Sequence, residues 1–92
     1  MSGRVQVTNK SAWYVYILKC ADNSLYTGIT TDVERRIDEH NHNNKLAAKY
    51  TRVRRPVKVV YQEKLNSRSL AARREVEIKK LKRGNKEALF NK

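Results

Sequence analysis

The run of residues Trp13–Lys19 limits the fold more strongly than any other part of this sequence. It reads WYVYILK, and its aromatic and β-branched side chains favour a β-strand. Because side chains alternate along a strand, Tyr14, Tyr16 and Leu18 would share one face and the odd-numbered residues the other. Both faces are apolar enough for a central strand, so we expect this segment to lie inside a sheet.

Two further segments can pair with this strand. After the turn-forming residues 21–24, the segment Leu25–Ile29 is predicted to return as an antiparallel partner, which makes a hairpin. Gly28 interrupts it, and a glycine there marks a bulge or allows a backbone or a ligand to come close. The segment Val57–Glu63 is rich in β-formers and is predicted to be a third strand, with its odd-numbered residues up to Tyr61 on one face. Three strands can be stable where two would not be.

Capping signals and apolar spacing predict two helices. The segment Thr31–Glu34 matches a capping box, so its first residue would be the N-cap of a helix. On this helix Arg36 and His40, four residues apart, would share a face that flanks the hairpin. A second long helix is predicted from Ser67 to a stop at Gly84. Its apolar stripe comprises Leu70, Ala71, Ile78 and Leu81.

These elements fit one small domain of the α+β class, a three-stranded antiparallel sheet flanked by helices. A chain of 92 residues makes one domain with a compact core. We expect residues 1–11 to be a flexible arm and residues 12–92 to form the domain. Residues 45–50 are predicted to add a short turn, and residues 85–91 a short helix whose Leu89 and Phe90 close the core.

The charge of the chain indicates a polyanionic partner. It carries 21 Lys and Arg against 9 Asp and Glu, a net charge of +12, which attracts polyanions. Nucleic acid is therefore the first partner to consider. A membrane surface or an acidic protein is the alternative, but the charges do not form a basic amphipathic helix with a bulky apolar face.

The basic residues predicted to contact phosphates fall into two groups, one around the third strand and one along the last helices. Their contacts would be independent of nucleotide sequence and sensitive to salt. The alternative is a solvated charged face that aids solubility. The residues are Arg52, Arg54, Arg55 and Lys58 in the first group, and Arg74, Lys79, Lys82 and Arg83 in the second.

Several classes of protein are excluded by the sequence. A single cysteine, Cys20, permits neither an internal disulfide nor a cysteine-based zinc site. No apolar run approaches the roughly 20 residues that span a bilayer. Residues 1–9 lack the apolar region of a signal peptide. We therefore expect a cytoplasmic protein with no membrane partner.

Three short motifs and one glutamate together resemble the GIY-YIG nuclease family, above all its small stand-alone bacterial members. They are YVY at Tyr14–Tyr16, YTG at Tyr26–Gly28, ERR at Glu34–Arg36, and Glu75 on the second long helix. The resemblance extends from Trp13 to about Leu89, and several motifs in the right order are more specific than any one of them. It implies a three-stranded antiparallel sheet flanked by helices, and hydrolysis of DNA phosphodiesters with a divalent metal, Mg²⁺ or Mn²⁺.

The resemblance also implies a role for individual residues. The phenol of Tyr16 is a candidate general base for water, but its ordinary pKa of about 10 would have to be lowered by the metal or by nearby cations. Arg36 would clamp the phosphate, and Glu75 would hold the metal. The remaining site residues are Tyr26 to orient water or phosphate, His40 to share the proton transfer, and Gly28 to let the phosphate approach the strand.

The sequence departs from the family pattern at a few positions. Tyr14 and Val15 replace the first glycine and the isoleucine of the first motif, a change that the small members share. Ile29 stands where some repair nucleases of the family have a lysine, so that role is unfilled or is taken by another cation. The family's asparagine near the chain end has no counterpart in a matching motif, and Asn85 is the candidate position.

Each site residue also has an ordinary structural explanation. Tyrosines in a hairpin are usually packing residues, and Glu75 could simply pair with Lys79, four residues further along the helix. Two hypotheses follow from the whole pattern. The first is a monomeric metal-dependent endonuclease in DNA repair or processing that recognises DNA structure rather than sequence, with a protein partner for targeting. The alternative is a basic nucleic-acid-binding module with the same fold that does not cleave.

Overall fold

The structure of the chain, a computed structural model, describes residues 12–91. The predicted arm at residues 1–11 lies outside this range. No helix in the described range has the length and apolar character that crossing a membrane requires. The elements in chain order are β1 (Trp13–Lys19), β2 (Leu25–Thr30), α1 (Val33–His42), α2 (Lys49–Arg52), β3 (Lys58–Leu65), α3 (Arg68–Lys79) and α4 (Arg83–Ala88).

The three strands form one antiparallel sheet in the order β2-β1-β3, so the prediction of a central first strand is confirmed. The hairpin turn includes Asn23, whose φ of 71° is a conformation that asparagine tolerates better than most residues. Pairing of β1 with β2 is regular from Tyr14 opposite Thr30 to Lys19 opposite Leu25. The α+β class is confirmed, with α2 as one more helix than the predicted order contained.

Each face of β1 lies in its own hydrophobic cluster, as the alternation of its side chains predicts. Val15 and Ile17 are fully buried against Ala71 and Ile78 of α3, a group that we call the Val15 cluster. On the opposite face lies the Tyr16 cluster, which consists of Tyr16, Leu18, Cys20 and Val57. Ile37 of α1 packs against this second cluster, so the sheet lies between α1 on one side and α3 on the other.

The predicted alternation of β3 is wrong because the strand contains an irregularity. Ile17 pairs with Tyr61, but the next residue of β1, Leu18, pairs with Val59, so Val60 is an extra residue. Val60 and Tyr61 consequently both pack against the Val15 cluster, although they are neighbours in sequence. Beyond an inserted residue of this kind, the side chains of the strand point to the opposite face from the one that simple alternation predicts. The spacing of apolar residues in the sequence does not reveal such an insertion.

The first helix begins one residue later than the capping box predicts. Asp32, not Thr31, is the N-cap, and its carboxylate accepts a hydrogen bond of 3.1 Å from the backbone N–H of Arg35. The backbone N–H of Asp32 in turn donates to Oγ1 of Thr30 at the end of β2. Aspartate is as good an N-cap as threonine, so the position of the preceding strand decides which residue caps the helix.

The second long helix begins where the sequence predicts but ends earlier. The hydroxyl of Ser67 accepts from the backbone N–H of Leu70 at 3.1 Å, which confirms the start. The helix ends at Lys79, and Gly84 lies inside α4 rather than at a helix stop. Ala71 and Ile78 are buried as predicted, whereas Leu70 is 40% exposed. Leu89 and Phe90 follow α4 and pack against the Val15 cluster as expected.

Candidate active site

Two tyrosines of the sequence motifs, Tyr16 and Tyr26, lie together on the α1 side of the sheet. Tyr16 is at the centre of β1, and Tyr26 is on β2, where it packs against the Tyr16 cluster. The two ring centroids are 6.4 Å apart. Tyr16 is only 1% exposed, so its phenol is a buried polar group that needs hydrogen-bond partners.

Gly28 makes room for the phenol of Tyr16. The two residues are direct cross-strand partners in a regular register, so the glycine marks no bulge. A Cβ atom at Gly28 would lie 2.5 Å from the hydroxyl oxygen of Tyr16, closer than real Cβ contacts come. The close approach expected from the sequence is therefore made by a side chain of this protein, and the phenol occupies the space predicted for a phosphate.

His40 joins this pair from α1. It is fully buried, and its Nε2 lies 2.9 Å from the hydroxyl oxygen of Tyr16, while its Nδ1 lies 2.7 Å from Oγ1 of Thr51. Burial, with the positive charges of Arg36 and Arg55, lowers the pKa of His40 to about 4. The imidazole is therefore neutral at pH 7, and one of its nitrogens has a lone pair that can accept a proton.

The pKa of Tyr16 is shifted in the direction opposite to the expected one. Burial raises it strongly, the negative charges that Tyr26 and Glu75 can carry add to the effect, and the nearby cation of Arg36 only partly opposes it. The expectation of a lowered pKa is not met in the protein alone, because loss of water around the phenol outweighs the single cation beside it. Tyr16 therefore keeps its proton at neutral pH.

Arg36 is held by two acceptors. Its Nη1 donates to Oε1 of Glu39 at 2.8 Å and to the backbone carbonyl of Leu46 at 2.7 Å. The guanidinium also lies close enough to Tyr16 to act on the pKa of the phenol. A fixed planar cation beside the buried hydroxyl group suits a clamp for a phosphate group.

Glu75 approaches from the other side of the sheet. It lies on α3, its side chain is 22% exposed, and its Oε2 is 3.2 Å from Nζ of Lys79, which is the ordinary ion pair considered above. Its charge nevertheless raises the pKa of Tyr16, so the two groups are neighbours electrostatically. The structure thus groups Tyr16, Tyr26, Arg36 and His40 by contact or close approach, whereas Glu75 is linked to them only through the effect of its charge on the phenol of Tyr16.

The carboxylate of Glu75 fits a metal ion that takes few protein ligands. Within residues 12–91, no three His, Cys, Asp or Glu side chains form a cluster that could hold a metal. Mg²⁺ often binds one or two carboxylates and fills its other positions with water and substrate oxygens. Glu75, which is partly exposed and acts on the phenol of Tyr16 through its charge, is compatible with such a site.

Most of the predicted phosphate-binding cations have protein partners. Arg54 pairs with Asp22, Arg74 with Glu63 and Glu77, Lys79 with Glu75, and Arg83 with Glu87, all at 3.2 Å or less. Arg52 donates to the backbone carbonyl of Asn44. Lys58 and Lys82 are exposed and form no ion pair among the described residues. Lys58 and Arg83 line one shallow depression together with Lys19.

Arg55 has an internal role that the sequence did not indicate. Its Nε donates to the backbone carbonyl of His40 at 2.6 Å, and its Nη1 donates to Oδ1 of Asn44 at 2.9 Å. Its Nη2 is buried within the described part of the chain, without a hydrogen-bond partner there. Arg55 therefore satisfies the end of α1 and supports the backbone of His40 more directly than it presents a cation to DNA.

Three neighbours of the site were not found from the sequence. Glu39 holds Arg36, Thr51 contacts His40, and the ring of Tyr50 stacks on Tyr26 with centroids 6.0 Å apart. Tyr50 and Thr51 belong to α2, where only a short turn was expected. The sole signal was the spacing of Glu39, three residues after Arg36 on one helix.

A pair of tyrosines on adjacent strands, with an arginine and a histidine on the following helix, defines a GIY-YIG type of domain. The sequence profile of the GIY-YIG catalytic domain matches residues 12–88, and this chain belongs to that family of nuclease domains. The UPF0213 protein DP2720 of Desulfotalea psychrophila is 54% identical over 82 residues, which are 89% of this chain and 74% of that protein. The UPF0213 protein SH2523 of Staphylococcus haemolyticus is 60% identical over 73 residues, 79% of this chain and 87% of that protein.

Two solution NMR structures resemble this fold. The UPF0213 protein BH0048 of Bacillus halodurans is 49% identical, with a TM-score of 0.53 over 85% of this chain and 81% of that one. The protein EF2693 of E. faecalis is 41% identical, with a TM-score of 0.58 over 89% of this chain and 86% of that one. The chain is thus similar to small proteins that consist of little more than this domain.

Proposed function

We propose that this protein is an endonuclease that uses Mg²⁺ or Mn²⁺ to hydrolyse phosphodiester bonds in DNA. The observation that carries the proposal is the buried contact of 2.9 Å between the hydroxyl of Tyr16 and Nε2 of His40, beside the cation of Arg36. A buried phenol and imidazole in hydrogen-bond contact, next to a cation that can bind a phosphate, can carry out general base catalysis of phosphodiester hydrolysis. Membership of a nuclease family supports the same conclusion.

The proton transfer would proceed through Tyr16 without a free phenolate. The raised pKa of Tyr16 makes the separate phenolate costly. A water molecule would give its proton to the phenol oxygen while the phenol gives its own proton to Nε2 of the neutral His40. The hydroxide so formed bonds to phosphorus, the bond to the leaving oxygen breaks, and the proton on His40 later returns to the leaving oxygen or to solvent. In these steps Tyr16 and His40, whose pKa values are both shifted, act together as one base.

The other site residues would act on the phosphate. Arg36, already oriented by Glu39, would neutralise charge on the non-bridging oxygens, and the hydroxyl of Tyr26 would orient the attacking water or the phosphate. Glu75 would hold the metal after leaving its ion pair with Lys79. When bound, the metal supplies charge stabilisation for the phosphate and the leaving oxygen.

The charge of the protein supports recognition of DNA by its backbone. A net charge of +12, with exposed cations such as Lys58 and Lys82, favours contacts that depend on phosphates and on salt. Such contacts select the shape of the substrate rather than its base sequence, which fits a monomeric enzyme of DNA repair or processing that a partner protein targets. The small size of the relatives is compatible with this arrangement.

The proposed function is tested by cleavage of a panel of duplex, branched and single-stranded DNAs with Mg²⁺, with Mn²⁺ and with a chelator. We expect the wild type to cleave at least one structure with metal, and Glu75→Gln to be at least about a hundredfold slower while binding that DNA normally. Glu77→Gln is the matched control, because Glu77 lies on the same helix and pairs with Arg74. Equal trace cleavage by wild type and Glu75→Gln would overturn the nuclease proposal and leave the non-cleaving binding module.

A further inference from the structure

The side chain of Thr51 is a buried polar group in contact with the histidine of the site. It lies on the four-residue helix α2 and is fully buried. Its Oγ1 is 2.7 Å from Nδ1 of His40 and 3.0 Å from the backbone carbonyl oxygen of Ala48. The hydroxyl thus lies between a ring nitrogen and a carbonyl, and the direction of its hydrogen bonds decides where the imidazole proton is.

The hydrogen bonds of Thr51 favour a proton on Nδ1 of His40. A carbonyl oxygen can only accept, so the hydroxyl donates its single proton to Ala48. The lone pairs of Oγ1 then face Nδ1, which satisfies them by donating an N–H at 2.7 Å. The neutral imidazole carries one proton, so its Nε2 bears a lone pair.

Tyr16, on the other side of the His40 imidazole, also requires the proton of that ring to be on Nδ1. The buried phenol of Tyr16 has one proton to donate, and the guanidinium beside it, that of Arg36, is a donor only. The acceptor in reach among the described residues is Nε2 of His40, at 2.9 Å. The backbone N–H of Ala48 also points at Nδ1 and favours the opposite tautomer, but at 3.4 Å its contact is much longer than the 2.7 Å contact with Thr51. The two shorter contacts of the ring therefore select the tautomer with its proton on Nδ1 and its lone pair toward Tyr16.

We propose that Thr51 is a positioning residue that holds His40 in the tautomer able to take the proton of Tyr16. This inference rests on the proposed function for its catalytic consequence, but the tautomer itself is a property of the resting protein. During the reaction, the N–H of Nδ1 keeps its bond to Oγ1 of Thr51, so the imidazolium formed by transfer to Nε2 is stabilised on its far side. Thr51 touches neither the substrate nor the reacting atoms.

Removal of the hydroxyl would leave a different polar group next to Nδ1. The backbone N–H of Ala48 lies 3.4 Å from that nitrogen, and an N–H can only donate. In Thr51→Val, whose side chain has almost the same shape, this donor favours a lone pair on Nδ1 and moves the proton to Nε2. The ring would then donate to the phenol oxygen of Tyr16 and could no longer accept its proton. Thr51→Ser keeps the hydroxyl and is the matched control.

The tautomer can be measured without any activity, by nitrogen-15 NMR of the histidine rings in the full chain at pH 7. We expect wild type and Thr51→Ser to carry the proton of His40 on Nδ1, and Thr51→Val to shift it largely to Nε2. His42, which is exposed and pairs with Asp38, provides an internal reference that should not change. A wild-type spectrum with the proton on Nε2 overturns the proposal by itself, even if Thr51→Val fails to fold.

The catalytic consequence is measured on the DNA structure that the wild type cleaves. We expect kcat of Thr51→Val to fall by about ten- to a hundredfold with little change in DNA affinity, and Thr51→Ser to stay within about threefold of the wild type. A shifted tautomer with an unchanged kcat would overturn the positioning role. If the wild type cleaves nothing, the proposed function fails, while the nitrogen-15 spectra still decide whether Thr51 sets the tautomer of His40.

Discussion

Substitution of Gly28 by alanine should destabilise the fold through the buried phenol of Tyr16. The new Cβ would lie 2.5 Å from the hydroxyl oxygen and 2.8 Å from Cζ, whereas real Cβ contacts begin near 3.0 Å. The phenol must therefore move by at least about half an ångström within a cluster where it is only 1% exposed. This movement would also disturb its contact with His40.

The expected cost follows from three contributions. Overpacking of a buried site costs about 1–3 kcal/mol. A weakened buried hydrogen bond adds up to about 1 kcal/mol, and the reduced freedom of alanine in the unfolded chain offsets about 0.4–1 kcal/mol. We expect Gly28→Ala to lose about 1–3 kcal/mol of unfolding free energy, seen as a lower urea midpoint with an unchanged m-value.

Two further variants make this prediction specific. Gly84→Ala is the matched control, because a Cβ there meets nothing within 4 Å and the residue lies in α4, so we expect it to be stabilised by about 0.5–1 kcal/mol. In the background of Tyr16→Phe, the atom closest to the new Cβ is absent, so Gly28→Ala should cost less there, with a coupling of about 0.5–2 kcal/mol. A Gly28→Ala protein as stable as the wild type, or a cost independent of Tyr16, would refute the reasoning.

Three other predictions follow from the charges of the site and its surroundings. Because burial lowers the pKa of His40 to about 4, against about 6.5 in the unfolded chain, the unfolded state binds more protons below pH 6.5. The free energy of unfolding should therefore fall as the pH is lowered from 7 toward 4, by up to about 3 kcal/mol from His40. The urea midpoint should fall by the same amount in His42→Gln, the control variant, because that variant keeps His40. Glu39→Gln removes the carboxylate that orients the Arg36 guanidinium and leaves its bond to the Leu46 carbonyl, so it should lower kcat/KM about tenfold with unchanged circular dichroism; full activity would contradict that role. Lys58→Ala should weaken DNA binding and reduce its salt slope by about one, whereas Arg74→Ala, which breaks an ion-pair network, should mainly reduce stability; equal effects on DNA affinity would argue against the assignment.

The sheet and the residues along one strand face could be predicted because their causes are local. Alternation along β1 places Tyr16 with Leu18 and Val15 with Ile17, and this follows from backbone geometry wherever the strand lies. The start of α3 at Ser67 is equally local, since a side chain caps a backbone group three residues away. The predictions failed where a distant element intervenes, as at the irregularity in β3 near Val60.

The candidate site, too, could be predicted in part from the sequence, while the rest depends on distant elements. Short motifs predict Tyr16, Tyr26 and Arg36, and the family resemblance adds His40 one turn after the arginine. The structure groups the four residues on one side of the sheet. Their protonation could not be predicted, because a pKa depends on burial and on charges from other elements. The phenol was expected to have a lowered pKa, but enclosure in the core raises it.

The sequence by itself determined a basic α+β domain with a central strand that is apolar on both faces, and it determined which residue types the site contains. Only the tertiary structure decided how those residues are connected. Contacts from His40 back to Tyr16 and forward to Thr51 join positions 24 and 11 residues apart, and no local pattern encodes them. The same holds for Arg55, whose cation supports the end of α1, since hydrogen bonds between distant segments exist only after the core has packed.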